Sequence, residues 1–188
     1  MTDYHGIIGD SELERIPGRI RRFLFREQAP SDATQSLAFY AYGYTRAFEE
    51  MVSVALQRWP GGDYMRMPLF FLARHSLELH LKEAIRVFSE VDDVKFSDHG
   101  LAKLWTRLLA VINNNGYNTD DEYADYCGKL VNHIHEADPS GERFRYPVTT
   151  SGIEFEYTRV ELEGLVRAHF HITNYCEGSI LMLKERSG

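Results

Sequence analysis

The chain alternates between long stretches with apolar residues at three-and-four spacing and short polar interruptions rich in Gly, Pro, Asn and Asp. That period is helical. The clearest case is Met67 to Phe88, where Phe70, Leu77, Leu81, Ile85 and Phe88 mark one face. A helix is also expected from Pro30 to Trp59, with Leu37, Tyr40, Ala41, Tyr44, Ala47, Phe48, Met51, Val54 and Ala55 on its apolar side. Pro60-Gly61-Gly62 would end it, and the two helices would pair antiparallel. Asp98 is expected to cap a helix running to Ile112, closed by Asn113 to Gly116. Thr119-Asp-Asp-Glu122 has the form of a capping box and opens a helix to about Ala137. Asp138-Pro139 stops that one. A non-helical stretch, Glu142 to Tyr157, reads as a hairpin or extended loop around Thr149 to Gly152. Thr158-Arg-Val-Glu161 then opens a last helix through Leu183. The sum is an all-α up-and-down bundle of four to five main helices with a loop excursion before the last.

Residues 1–10 read as polar and loose. Ser11 to Glu14 forms another capping-box pattern, and Arg15, Arg19, Arg21, Arg22 and Arg26 follow, interleaved with Ile20, Phe23, Leu24 and Phe25. This divides the single domain, 1–188, into a basic arm (1–30) and the bundle (31–188). The arm is either a contact for a partner or a solvated surface balanced by Glu12, Glu14 and Glu27.

Bulk composition narrows the function more than the fold. A length of 188 residues suits one domain. A net charge of -7 argues against generic adhesion to phosphate backbones while leaving room for a local basic groove. Cys127 and Cys176 form no ligand motif and read as reduced thiols. There is no signal-peptide pattern and no membrane-length apolar run, so a cytoplasmic, non-membrane protein is expected.

The central helix carries the candidate chemistry. Arg74, Glu78 and Lys82 follow one another at steps of four along the edge of the apolar stripe, and buried charges need partners. A structural ladder is one reading. The other starts from Arg74-His75-Ser-Leu-Glu-Leu-His80, an Arg, a polar residue and a spaced His. With the helical architecture, this resembles the HEPN superfamily (higher eukaryotes and prokaryotes nucleotide-binding), which includes metal-independent RNases of toxin and antiviral systems, several of them homodimers. The resemblance implies that Arg74 steadies the scissile phosphate and His80 acts in acid–base cleavage, with His75 as the intervening polar residue. It implies RNA or a nucleotide as partner and no cofactor. On an ideal helix Arg74 and His80 point about 120° apart, so they converge only through distortion or a second protomer.

A second resemblance covers about half the chain. Arg74-His75 with Glu78 and Lys82, then His99-Gly-Leu-Ala-Lys-Leu-Trp105, then Asp138-Pro139 with Phe144-Arg145-Tyr146-Pro147 and Gly152, is similar to bacterial helical proteins of unassigned function. In that pattern the place of His80 often holds an apolar or small residue, which moves interest to Arg74, Glu78, His99 and Arg145. Arg145, Arg74, Lys82, His75 and His99 would make a cationic pocket for a phosphate, with Tyr146 stacking on a base. The alternative is that Arg145 and Asp138 knit the loop to Arg74 and Glu78. The pairs His133/His135 and His169/His171 are two residues apart, about 200° around a helix, so neither chelates a metal alone, and no metal is expected.

Overall fold

The computed structural model describes residues 4–9, 12, 14–15, 36–58, 63–89, 98–148, 151–155 and 161–187. The fold is an all-α helical bundle. Its long helices are α1 (Leu37–Arg58), α2 (Arg66–Ser89), α3 (Leu101–Asn114), α4 (Glu122–Ala137) and α5 (Leu162–Ser187). A helical turn, Tyr4–Ile7, precedes them, and a short 3₁₀ turn, Asp63–Met65, leads into α2. Among the described residues, no helix is long and apolar enough to cross a membrane.

Helix α2 is central: α1, α3 and α5 all pack on it, and α4 bridges α3 and α5. Every residue from Ser76 to Ile85 is buried. A helix walled on three sides has no wet face for its polar residues, so Glu78, His80 and Lys82 must find partners inside the protein. Helix α3 shows the contrasting case, with Leu101, Leu104, Trp105, Leu108 and Ile112 buried along one stripe. One apolar core joins all five helices.

Four expectations are corrected. Residues 4–9 are not loose: Ile7 and Ile8 enter the core, because the turn packs on α1 and α5. On α1 the inward side is Ala41, Thr45, Phe48, Glu49, Val52 and Ala55, while Tyr40, Ala47 and Val54 face out. Thr45 replaces an apolar contact because hydroxyl and imidazole partners await it on α2. Asp98 does not cap α3. Gly100 is the cap residue, and the Asp98 carboxylate takes Lys103 at 2.9 Å. The cap of α4 is Asp121, two residues beyond Thr119, and its side chain accepts from the backbone N–H of Tyr123 and Ala124.

The ends of α3 and α4 fall where the sequence places them. Gly116 and Gly141, just past them, have φ of +79°. The loop from Asp138 carries an isolated antiparallel bridge, Val148 to Glu154, turning at Gly152. The stop at Pro60–Gly62, the capping pattern at Thr158, and most of the basic arm lie outside the described residues.

Candidate functional site

Arg74 is 4% exposed, and all three nitrogens of its guanidinium donate to protein acceptors. Nε donates to the Asp138 carbonyl at 3.1 Å, Nη1 to Glu78 Oε2 at 3.1 Å and Nη2 to the His99 carbonyl at 2.7 Å. The Asp138 carboxylate lies 3.4 Å from Nε. Glu78 in turn accepts from Lys82 at 2.8 Å and lies 2.9 Å from His99 Nδ1. One buried arginine thus ties α2 to the approach of α3 and to the loop after α4. Burial alone would raise the Glu78 carboxyl, but hydrogen bonds from Lys82 and His99 outweigh it and hold Glu78 below the usual carboxylate range.

The loop is set on this anchor. The Asp138 carboxylate accepts from the backbone N–H of Gly141 and Arg143, and the Gly141 carbonyl accepts from Arg145 Nε at 2.8 Å. Arg145 is thereby directed over Phe71, its Cζ 6.0 Å from the ring centre and 5.3 Å from that of exposed Tyr146. Phe71 lies nearly parallel to His75, with centres 5.6 Å apart, and Tyr44 meets His75 edge-on at 4.4 Å. Burial is the main cause that lowers the His75 imidazole below its ordinary value. Glu78 opposes it, and Lys82, Arg74 and Arg145 reinforce it. His75 therefore behaves as a neutral aromatic ring at neutral pH.

The expected site residues divide into three places. Arg74, Glu78 and Lys82 form an internal network that reaches the surface at the exposed His99. His75, Arg145 and Tyr146 meet at the surface around Phe71. His80 stands apart: its Nε2 is 2.9 Å from Thr45 Oγ1 and its Nδ1 3.6 Å from Glu177. Thr45 continues to Ser76 at 2.8 Å, and Ser76 to His169 Nε2 at 3.0 Å. This polar chain crosses α1, α2 and α5 in the core.

No protein-family model, curated protein or solved structure matches the chain. Thr45, Ser76, Phe71, Tyr44 and Gly141 belong to these constellations, yet no sequence motif marks them as site residues. Gly141 is the most accessible of them to sequence reasoning, because the glycine that closes the Asp138-Pro-Ser-Gly turn readily takes a positive φ.

His169 and His171 diverge as their spacing requires. His169 tilts against Phe48, while His171 Nε2 is 2.7 Å from Glu12 Oε1. Glu12 also pairs with Arg167 and Arg15. The expectation that Glu12 balances a solvated arm is corrected: it is buried, because α5 presents the Arg167 guanidinium and the His171 imidazole as partners. Among the described residues no group of three His, Cys, Asp or Glu side chains is placed to hold a metal.

These environments set a direction for acid sensitivity. His171 is held below its ordinary 6.5, with burial outweighing the opposing pull of Glu12, and His75 is lowered as well. An unfolded histidine takes its proton near 6.5, so protonation favours the unfolded chain as pH falls below that value. Glu78 and Glu12 are both lowered from 4.5 and add a second loss below it; for Glu12, burial is outweighed by the hydrogen bond from His171. Calorimetry from pH 8 to 4 is expected to show a flat melting temperature above about 7, then decline in these two ranges. A constant value from pH 7 to 5 would contradict the histidine assignments.

Proposed function

We propose that the chain is a HEPN-like protein that binds RNA or a nucleotide at the surface formed by Arg145, Tyr146, Phe71 and His75. The observation that carries this is the position of the Arg145 guanidinium, 6.0 Å above Phe71 and 5.3 Å from Tyr146. A cation beside the exposed Tyr146 ring suits a phosphate next to a base, since stacking tolerates any base and the guanidinium takes the phosphate oxygens. The internal network supports the site indirectly, by holding the Gly141 carbonyl to which Arg145 donates. Arg74 itself has each nitrogen engaged inside the protein, so in this reading it is a positioning residue and the site binds without cleaving.

Homodimerisation belongs to the same reading. The outward row of α1, Tyr40, Gly43, Ala47 and Val54, interrupted by the exposed Glu50, offers a second copy a partly apolar face, and sedimentation equilibrium reads the state. For RNA, fluorescence anisotropy with a labelled ten-nucleotide oligouridine is the direct test. Wild type is expected to bind, more weakly as salt rises. Arg145→Ala and Tyr146→Ala are each expected to weaken binding about tenfold with the fold unchanged. Absence of binding by wild type at low salt overturns the proposal. The same mixture on a denaturing gel reads the ribonuclease expectation, in which Arg74 and His80 cleave, and intact RNA retires it.

A further inference from the structure

A concavity lies between the C-terminal half of α4 and the start of α5, with Phe70 of α2 and Arg143 of the loop also lining it. Its volume is about 520 Å³, within the range of clefts that hold drug-sized organic molecules. The floor is apolar: Phe70, Ile134, Leu165 and Ala168 all line it and are buried, the least so at 6% exposed. Phe70 is braced from behind by Phe144, ring centres 3.8 Å apart, so the floor is rigid. Glu136, Glu161, His133 and Arg143 stand at the rim.

The rim sets the sign of charge. Arg143 Nη1 donates to the Ala137 carbonyl at 2.9 Å and its backbone N–H to Asp138, which ties it into the loop. The two helix ends at the cleft carry opposite partial charges that offset each other. Glu136 and Glu161 are exposed carboxylates without a hydrogen-bond or ion-pair partner among the described residues. Glu161 leans over the cleft, its Oε2 4.0 Å from where a β-carbon on Gly164 would sit. Gly164 itself leaves the wall open, since that carboxylate oxygen is all a β-carbon would meet within 4 Å.

We infer that this cleft is a binding site for an organic ammonium with a body of one to three apolar rings, the rings lying on Phe70 and the cation between Glu136 and Glu161. The site shares no residue with the RNA-binding surface, although Phe70 and Arg143 adjoin that surface's Phe71 and Arg145. Long-range attraction favours the same sign, given the net charge of -7.

Isothermal titration with 1-naphthylmethylamine, and with 1-naphthylacetate as its anionic counterpart, tests the inference. The amine is expected to bind the full chain saturably at one site, and the acetate at least about tenfold more weakly. Glu136→Gln with Glu161→Gln should weaken the amine about tenfold, one charge-assisted contact's worth. Gly164→Leu fills the cleft, replaces a poor helix former by a good one, and should abolish binding while the melting temperature is kept or raised. Equal or tighter binding of the acetate, amine binding indifferent to Gly164→Leu, or no saturable binding by the folded wild type each overturns the inference. Oligouridine binding should be unchanged in these variants, so this site and the RNA surface fail or stand separately.

Discussion

Arg74→Ala is expected to cost the fold about 3–5 kcal/mol, the usual range when one member of a buried ionic cluster is removed. Four acceptors lose a donor at once: Glu78, the Asp138 carbonyl and carboxylate, and the His99 carbonyl. Water cannot readily replace it, because Arg74 is 4%, Glu78 4% and Asp138 1% exposed. Thermal unfolding should start roughly 10 °C lower for a chain of this size. Adding Glu78→Gln to an Arg74→Met variant should lose less than the sum of the two single changes, since the Arg74–Glu78 bond can be lost only once. If Arg74→Ala melts like wild type, the buried network does not hold the loop.

Gly141→Ala should be nearly as damaging, for a different reason. Its φ of +79° is a left-handed conformation that costs an alanine about 1–2 kcal/mol. The added β-carbon would also sit 2.7 Å from Arg74 Nη1 and 3.0 Å from Cζ. The guanidinium must then shift and weaken its bonds to Glu78 and His99, which brings the total to about 2–4 kcal/mol. Gly152→Ala separates the two terms, because Gly152 has a φ of +80° and nothing within 4 Å of its β-position. Chemical denaturation should rank Gly141→Ala well below Gly152→Ala. Equal midpoints would mean that Arg74 yields at no cost. Because Arg145 donates to the Gly141 carbonyl, the Gly141 variant should also weaken oligouridine binding, which Gly152→Ala should leave alone.

The helices are readable because their signals are local. Periodic apolar positions and the glycines and prolines between them locate α3, α4 and the loop with little help from the rest of the chain. The ladder of Arg74, Glu78 and Lys82 is also readable, since steps of four on a helix place side chains in contact whatever surrounds them. Its partners in the loop and before α3 are 64 and 25 residues away, and only the motif pieces around His99 and Asp138 hint at them. The rotational setting of α1 is not legible. Thr45 looks like a surface residue until α2 supplies Ser76 and His80, and Tyr40 and Val54 look like core until α1 is seen to lie at the edge of the bundle. The burial of Glu12 is hidden for the same reason, its partners Arg167 and His171 lying at the far end of the chain.

Glu12 therefore imposes an order on biosynthesis. The 155 residues between it and Arg167 take about 8–30 seconds to translate at roughly 5–20 residues per second. Until α5 leaves the ribosome, this carboxylate stays hydrated, Ser76 lacks His169, and the apolar residues of the central helix that α5 covers stay open to water. The nascent chain thus passes through a stage that is sticky to other chains, and α5 is the stopper that seals it.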